Sequence, residues 1–170
     1  MNDKNALLRH FLAALAYRTQ KALRDVPDGF ADFEAGNQIR TPKQLVRHMT
    51  SVLGYARTFF IGGKYRPEPL PAFDDEIARF HQMLEHLAGH LERDEPFLDG
   101  MSPERMLQGQ FSDAMTHAGQ LALLRRLHGD PVAPENFIAA RIDPANLTPD
   151  QPPPESPDEI WPEDPKRLQG

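Results

Sequence analysis

Apolar residues recur every three to four positions through most of the first 128 residues, the spacing of one face of an α-helix. Four stretches carry it. The first covers about 4–23, where Leu8, Phe11, Leu12, Leu15 and Ala22 form one stripe. It ends at Val26-Pro27-Asp28-Gly29, a turn signal, and a linker with Phe30, Phe33 and Gly36 runs on to Arg40. The second opens with Thr41 as N-cap and Pro42 at the first helical position. Its stripe is Leu45, Met49, Val52, Leu53, Ala56, Phe59 and Phe60, and Gly62-Gly63 stops it. The third spans about 73–92 with Ile77, Phe80, Leu84, Leu87 and Leu91. The fourth starts at Ser102-Pro103-Glu104 and continues to His128, before Gly129-Asp130-Pro131. There is no strand-like alternation of useful length and no internal repeat.

Four amphipathic helices of about 20 residues predict an all-α four-helix bundle, with globin-like packing as the alternative. The connection over 64–71 holds Pro67, Pro69 and Pro71. It reads as an extended crossing at the end of the bundle rather than a tight antiparallel turn. Of the 17 prolines, ten follow position 130. A short helix over 135–140 is expected, and beyond Asp143 a Pro-rich acidic segment, extended or partly disordered. Few of its residues suit a core, so truncation after Asp143 is expected to leave the bundle folded. Trp161, the single tryptophan, is compatible with an anchored tail and equally with a mobile one. A length of 170 residues favours one domain: a bundle over 1–130, and an extension over 131–170 that is part of it or partly disordered.

Charge and composition narrow the function. The net charge is −6; residues 143–170 hold seven acids against two bases, which leaves −1 for the first 142. Without a basic stripe, nucleic-acid binding lacks its electrostatic footing. No apolar run is long enough to span a bilayer. The start, Met1-Asn2-Asp3-Lys4, lacks a basic leader, which implies a cytoplasmic protein. The absence of cysteine excludes disulfides, thiolate metal sites and cysteine nucleophiles, so a metal here needs imidazole and carboxylate.

Seven histidines are the candidate chemistry. On the second helix, at about 100° per residue, His48 falls on the inward edge of the stripe. On the fourth, Asp113 and His117 lie four residues apart on one face, together with Leu121 and Leu124. An acid and an imidazole on a buried stripe are costly unless paired or bound to a cation. His48, Asp113 and His117 thus form a two-histidine, one-carboxylate set suited to Zn, Ni, Fe or Mn, with a coordination position left open. A plain carboxylate–imidazole pair is the competing reading. Gln110 and Gln120 flank the same face, positioned to orient a ligand through a hydrogen bond. His86 and His90 fall opposite the third helix's stripe and read as solvated. His81 reads as a boundary residue, and His128 as a cation at a helix C-terminus. His10 has no partner at useful spacing. Repeated Glu-x-x-His, His-Glu-x-x-His, Gly-x-Ser-x-Gly and a phosphate loop are all absent.

Leu45-Val46-Arg47-His48-Met49-Thr50, and Asp113-Ala114-Met115-Thr116-His117-Ala118-Gly119-Gln120 with the helix that follows to Gly129, resemble the DinB-like (YfiT-like) superfamily of metal-dependent four-helix-bundle proteins. The resemblance covers about 4–130. It implies one ligand from the second helix and two from the fourth, which map onto His48, Asp113 and His117. Where the family often has histidine, this chain has Asp113, which favours harder ions such as Mn²⁺ or Fe²⁺. The resemblance further implies a hydrolase or a transferase using a low-molecular-weight thiol such as bacillithiol or mycothiol, a small-molecule substrate, and a homodimer. Phe59-Phe60-Ile61 would then serve the core or an interface. The alternative is a non-catalytic helical module that binds a small molecule or partner, with a structural or vestigial metal.

Overall fold

A computed structural model describes residues 1–162 and 164 of the chain. It is all-helical in its body, with α1 (Asp3–Leu23), α2 (Pro42–Ile61) and α3 (Phe73–Glu92) as three rods. The fourth rod is composite: α4 (Pro103–Met106), a π-helical turn (Leu107–Phe111) and α5 (Ser112–His128). The element ends follow from the caps. Asn2 accepts the Asn5 N–H at the start of α1. Thr41 and Gln44 form a reciprocal capping box around Pro42. Gly129, at φ 92°, closes α5 in the left-handed conformation that costs glycine least.

The packing is a four-helix bundle. α1 and α2 each pack on α3 and on α5, so α1 faces α2 across one diagonal and α3 faces α5 across the other. Directions follow from which ends meet. Asn5 reaches the Leu91 carbonyl (3.4 Å), so α1 and α3 are antiparallel. Arg125 reaches the carbonyl of Arg24 (2.6 Å), so α1 and α5 are parallel. Arg47 meets Glu76 near the starts of α2 and α3, and Phe60 stacks on His90 near their ends, so these two run parallel.

Parallel neighbours dictate the role of the proline-rich connection. It does not cross the end of the bundle, as the spacing had implied. Instead it returns along the flank of α2. A 20-residue helix is about 30 Å long, a distance that the intervening residues 62–72 cover only when nearly extended. Prolines suit that conformation. Two contacts pin the strap. The Tyr65 ring lies over Gly54, where a Cβ would overlap it. The Leu70 N–H donates to Glu76 Oε1 (2.9 Å). Glu76 also accepts from Arg47 (2.7 Å) and from Arg79. Burial alone would raise the Glu76 carboxyl, but these donors outweigh it and hold it below its ordinary value.

The fourth rod is not continuous, as its pattern had suggested. Gly109 leaves the helical region (φ −91°, ψ −107°), and Ser112 Oγ donates to the Leu107 carbonyl (2.6 Å). Phe111, the last residue of this turn, is buried and stacks on Phe11, ring centres 6.2 Å apart. The expected helix over 135–140 is also absent. Glu135 pairs instead with Pro157 in an isolated bridge and accepts from Tyr17 (2.6 Å) and Lys21 (2.9 Å). Those two bonds hold the segment against α1 and outweigh its weak helical tendency. Leu147 of the tail does join the core, at 4% exposure. Trp161 is half-buried, and the residues at 163 and 165–170 lie outside those described.

Two histidines depart from their expected places because distant segments cover them. His81 is buried rather than at a boundary, its Nδ1–H donating to the Leu147 carbonyl (2.7 Å). His90 is buried rather than solvated: it stacks on Phe60, pairs with Glu95, and is covered where the chain folds back so that Leu98 N–H meets the Phe59 carbonyl. His128 does lie in the last turn of α5, but its ring packs edge-on against Phe30 and Phe33. His86 is exposed, as read. Of the Phe59-Phe60-Ile61 cluster, Phe60 belongs to the core and Ile61 is exposed.

Burial pushes the His81 imidazole down to about 4, and its Nε2 is enclosed without a partner. The unfolded chain therefore takes up a proton before the folded one. The stability contributed by neutral His81 is complete above pH 6.5 and declines as pH falls toward 4. The loss is about 2 kcal/mol by pH 5, visible as a lower urea midpoint and absent in His81→Gln. Separately, Gly54→Ala should lower stability by about 1–3 kcal/mol by displacing Tyr65, measured by urea unfolding.

Candidate metal centre

α2 and α5 are antiparallel neighbours, which brings a residue near the start of α2 against the middle of α5. His48, one residue before the core residue Met49, lies at the rim of the seam and is half-buried. His117 is buried at 8% exposure, between the core residues Ala114 and Leu121. Asp113, one turn earlier, has its side chain 51% exposed. The expectation of a carboxylate on the buried stripe is therefore corrected. The π turn ends immediately before α5, and Asp113 opens its first turn at the solvent edge.

The three side chains converge. One ligand atom from each of His48, Asp113 and His117 lies within 4.8 Å of the others. The His117 Nε2 to Asp113 Oδ1 distance is 3.4 Å, and the two imidazole rings stand edge-to-face with centres 4.7 Å apart. A tetrahedral ion with bonds of about 2.0–2.1 Å requires donors about 3.3 Å apart. The His117–Asp113 pair already has that separation.

The contact with Gln120 bears on which tautomer His117 adopts. Its Nδ1–H donates to Gln120 Oε1 (2.8 Å). In a neutral ring Nε2 is then a lone pair, aimed at a carboxylate that is itself only an acceptor. Two acceptors at 3.4 Å make no hydrogen bond unless a cation or an added proton lies between them. His48 supplies a third lone pair. Burial, then the charges of Arg40 and His117, lower its pKa against the opposing pull of Asp113, which favours the neutral, coordinating form.

Two depressions flank the triad along the α2–α5 seam. One is open and bordered by Tyr55, the π-turn residues Gln108–Gln110, Ser112, Asp113 and Thr116. Gln110 belongs to the π turn, borders this depression together with Asp113, and has its Oε1 enclosed without a partner. Gln120 takes the orienting position that its spacing had indicated. The other depression lies beyond Gln120 and is bordered by Gln38–Arg40 of the α1–α2 loop. Neither that loop nor the π turn stood out in the sequence, where Gly109 within a helical pattern is the one local sign of an irregularity.

No family model matches the chain, and no curated protein or solved structure matches it either. No helix among the described residues is long and apolar enough to cross a membrane.

Replacing Arg40 by Gln should raise the His48 pKa, because it removes a positive neighbour while burial is unchanged. The His48 imidazole resonances, followed by NMR against pH, check this; an unchanged or lower midpoint contradicts the assigned cause.

Proposed function

We propose that the chain is a metal-dependent enzyme of the DinB-like four-helix-bundle type, with a divalent transition metal held by His48 Nε2 or Nδ1, Asp113 and His117 Nε2. The observation that carries this reading is the pairing of two acceptors, His117 Nε2 and Asp113 Oδ1, at 3.4 Å beside a third donor, His48. A single added proton would relieve the Asp113–His117 contact but gives His48 no role. A metal employs all three.

The donor set suits Zn, Ni, Fe or Mn, and the carboxylate shifts it toward Fe and Mn relative to three imidazoles. Such an ion, when bound, lowers the pKa of water or of a substrate thiol toward neutrality. The chain's own residues do the rest. Gln120 orients the His117 ring through Nδ1, the contact that favours a lone pair at Nε2. Asp113, half exposed, leaves the solvent side of the triad accessible to a small molecule. The reaction class this supports is hydrolysis, or transfer to a low-molecular-weight thiol, on a small-molecule substrate. A homodimer is part of the same proposal through the family resemblance.

The purified protein, stripped and reconstituted in turn with each of the four metals, should retain one ion per chain by elemental analysis. His48→Ala and His117→Ala should weaken binding by about a hundredfold or more, and Gln120→Leu by about 10–100-fold. Urea unfolding confirms that each variant is folded. Substoichiometric metal in the unmodified protein overturns the proposal. One ion that admits no exchangeable water or ligand assigns the chain instead to the non-catalytic reading.

A further inference from the structure

The second depression has a composition that selects a ligand. Along α5, Gln120, Leu123, Leu124 and Leu127 repeat at intervals of three and four and so share one face. Leu124 and Leu45 of α2 are buried and form its floor. Ile39, Leu123 and Leu127 form its walls, and these large apolar side chains are 50%, 48% and 55% exposed. The cavity is about 560 Å³, within the range of small-molecule sites. The polar groups converge at one place. Gln38 and Arg40 come from the loop, and Gln120 is also the partner of His117. The cavity and the triad thus share a side chain.

Arg40 is exposed, and no carboxylate pairs with it among the described residues. Among the described residues it is the only charged one bordering this cavity. The loop that carries it is bent at some cost. Gly36, Asn37 and Gln38 are all left-handed, at φ 85°, 50° and 59°, and two of the three are not glycine. This run precedes Ile39 and Arg40, which meet α5 across the cavity.

We propose that this groove receives the apolar body of a small organic anion and holds its carboxylate on Arg40. Taken with the metal reading, on which this part rests, an apolar carboxylate is then the substrate class of the site. The leucine floor accounts for the apolar body, the unpaired guanidinium for the charge, and Gln120 for the link to the triad. Arg40 acts here as a binding residue.

The test uses metal-free, EDTA-treated full-length protein, so that no ion competes for the carboxylate. Octanoate, octanamide and octylamine are titrated while the Gln120 side-chain amide and the Leu123 and Leu127 methyls are followed by NMR. Octanoate should bind saturably, one per chain, and about tenfold more tightly than octylamine. Arg40→Gln should reduce octanoate affinity about tenfold and leave octanamide unchanged. Leu127→Glu, at an exposed position that leaves the core intact, should weaken both. His48→Ala should bind octanoate as before, so a failure of the metal reading is seen in elemental analysis and not here. No saturable shift up to millimolar octanoate, or affinity indifferent to Arg40→Gln, overturns the proposal. Concentration-dependent dimerisation in sedimentation, abolished by Leu127→Glu, overturns it in favour of a second copy of the chain on this face.

Discussion

The Nδ1–H of His117 is directed to Gln120, and this leaves a lone pair at Nε2 facing the Asp113 carboxylate 3.4 Å away. In water such an arrangement would be trivial. Here His117 is 8% exposed and sits between core residues of α5, so the ring has little freedom to turn away. The contact is satisfied only by something positive between the two groups. Much else along the seam serves this one constraint: the antiparallel approach of α2 that delivers His48, the π turn that brings Asp113 to the solvent edge, and the amide that selects the tautomer.

The bundle supplies the rigidity on which that geometry depends. Because α2 and α3 run parallel, the chain must travel the full length of the bundle between them, and the strap over 62–72 does so in nearly extended form. Tyr65 over Gly54 and Leu70 on Glu76 hold it down. Around Glu76 two arginines and a backbone N–H offset the cost of a carboxylate with no solvent exposure. The opposite flank of α1 is covered by Glu135, whose side chain is enclosed and which accepts from Tyr17 and Lys21. In both places a buried acid serves as the fastening point for an otherwise irregular segment.

The triad and the groove beside it divide the requirements of a small-molecule site between them. Converging lone pairs lie on one side of Gln120, and an apolar floor with one guanidinium on the other. Charge at one end and leucines below are the pattern of sites that recognise amphipathic ligands, where a few polar groups orient and the apolar lining contributes affinity.

Much of this was legible in the residues alone. The 3.6-residue spacing, Thr41-Pro42, Gly62 and Gly129 locate the four rods, and α3 falls on 73–92 as read. The i, i+4 relation of Asp113 and His117 likewise needs nothing beyond helix geometry. These are local properties, set by side chains within a turn or two of one another. The burial of His81 under Leu147, the stacking of His90 on Phe60 and the meeting of Gln38–Arg40 with α5 each depend on residues far apart in the chain. So does the parallel course of α2 and α3, since an amphipathic stripe is the same read in either direction. Helices and donor residues are thus written into local pattern. Which rods are neighbours, which way they run and which histidines face a common point follow instead from how buried faces fit together across the whole bundle.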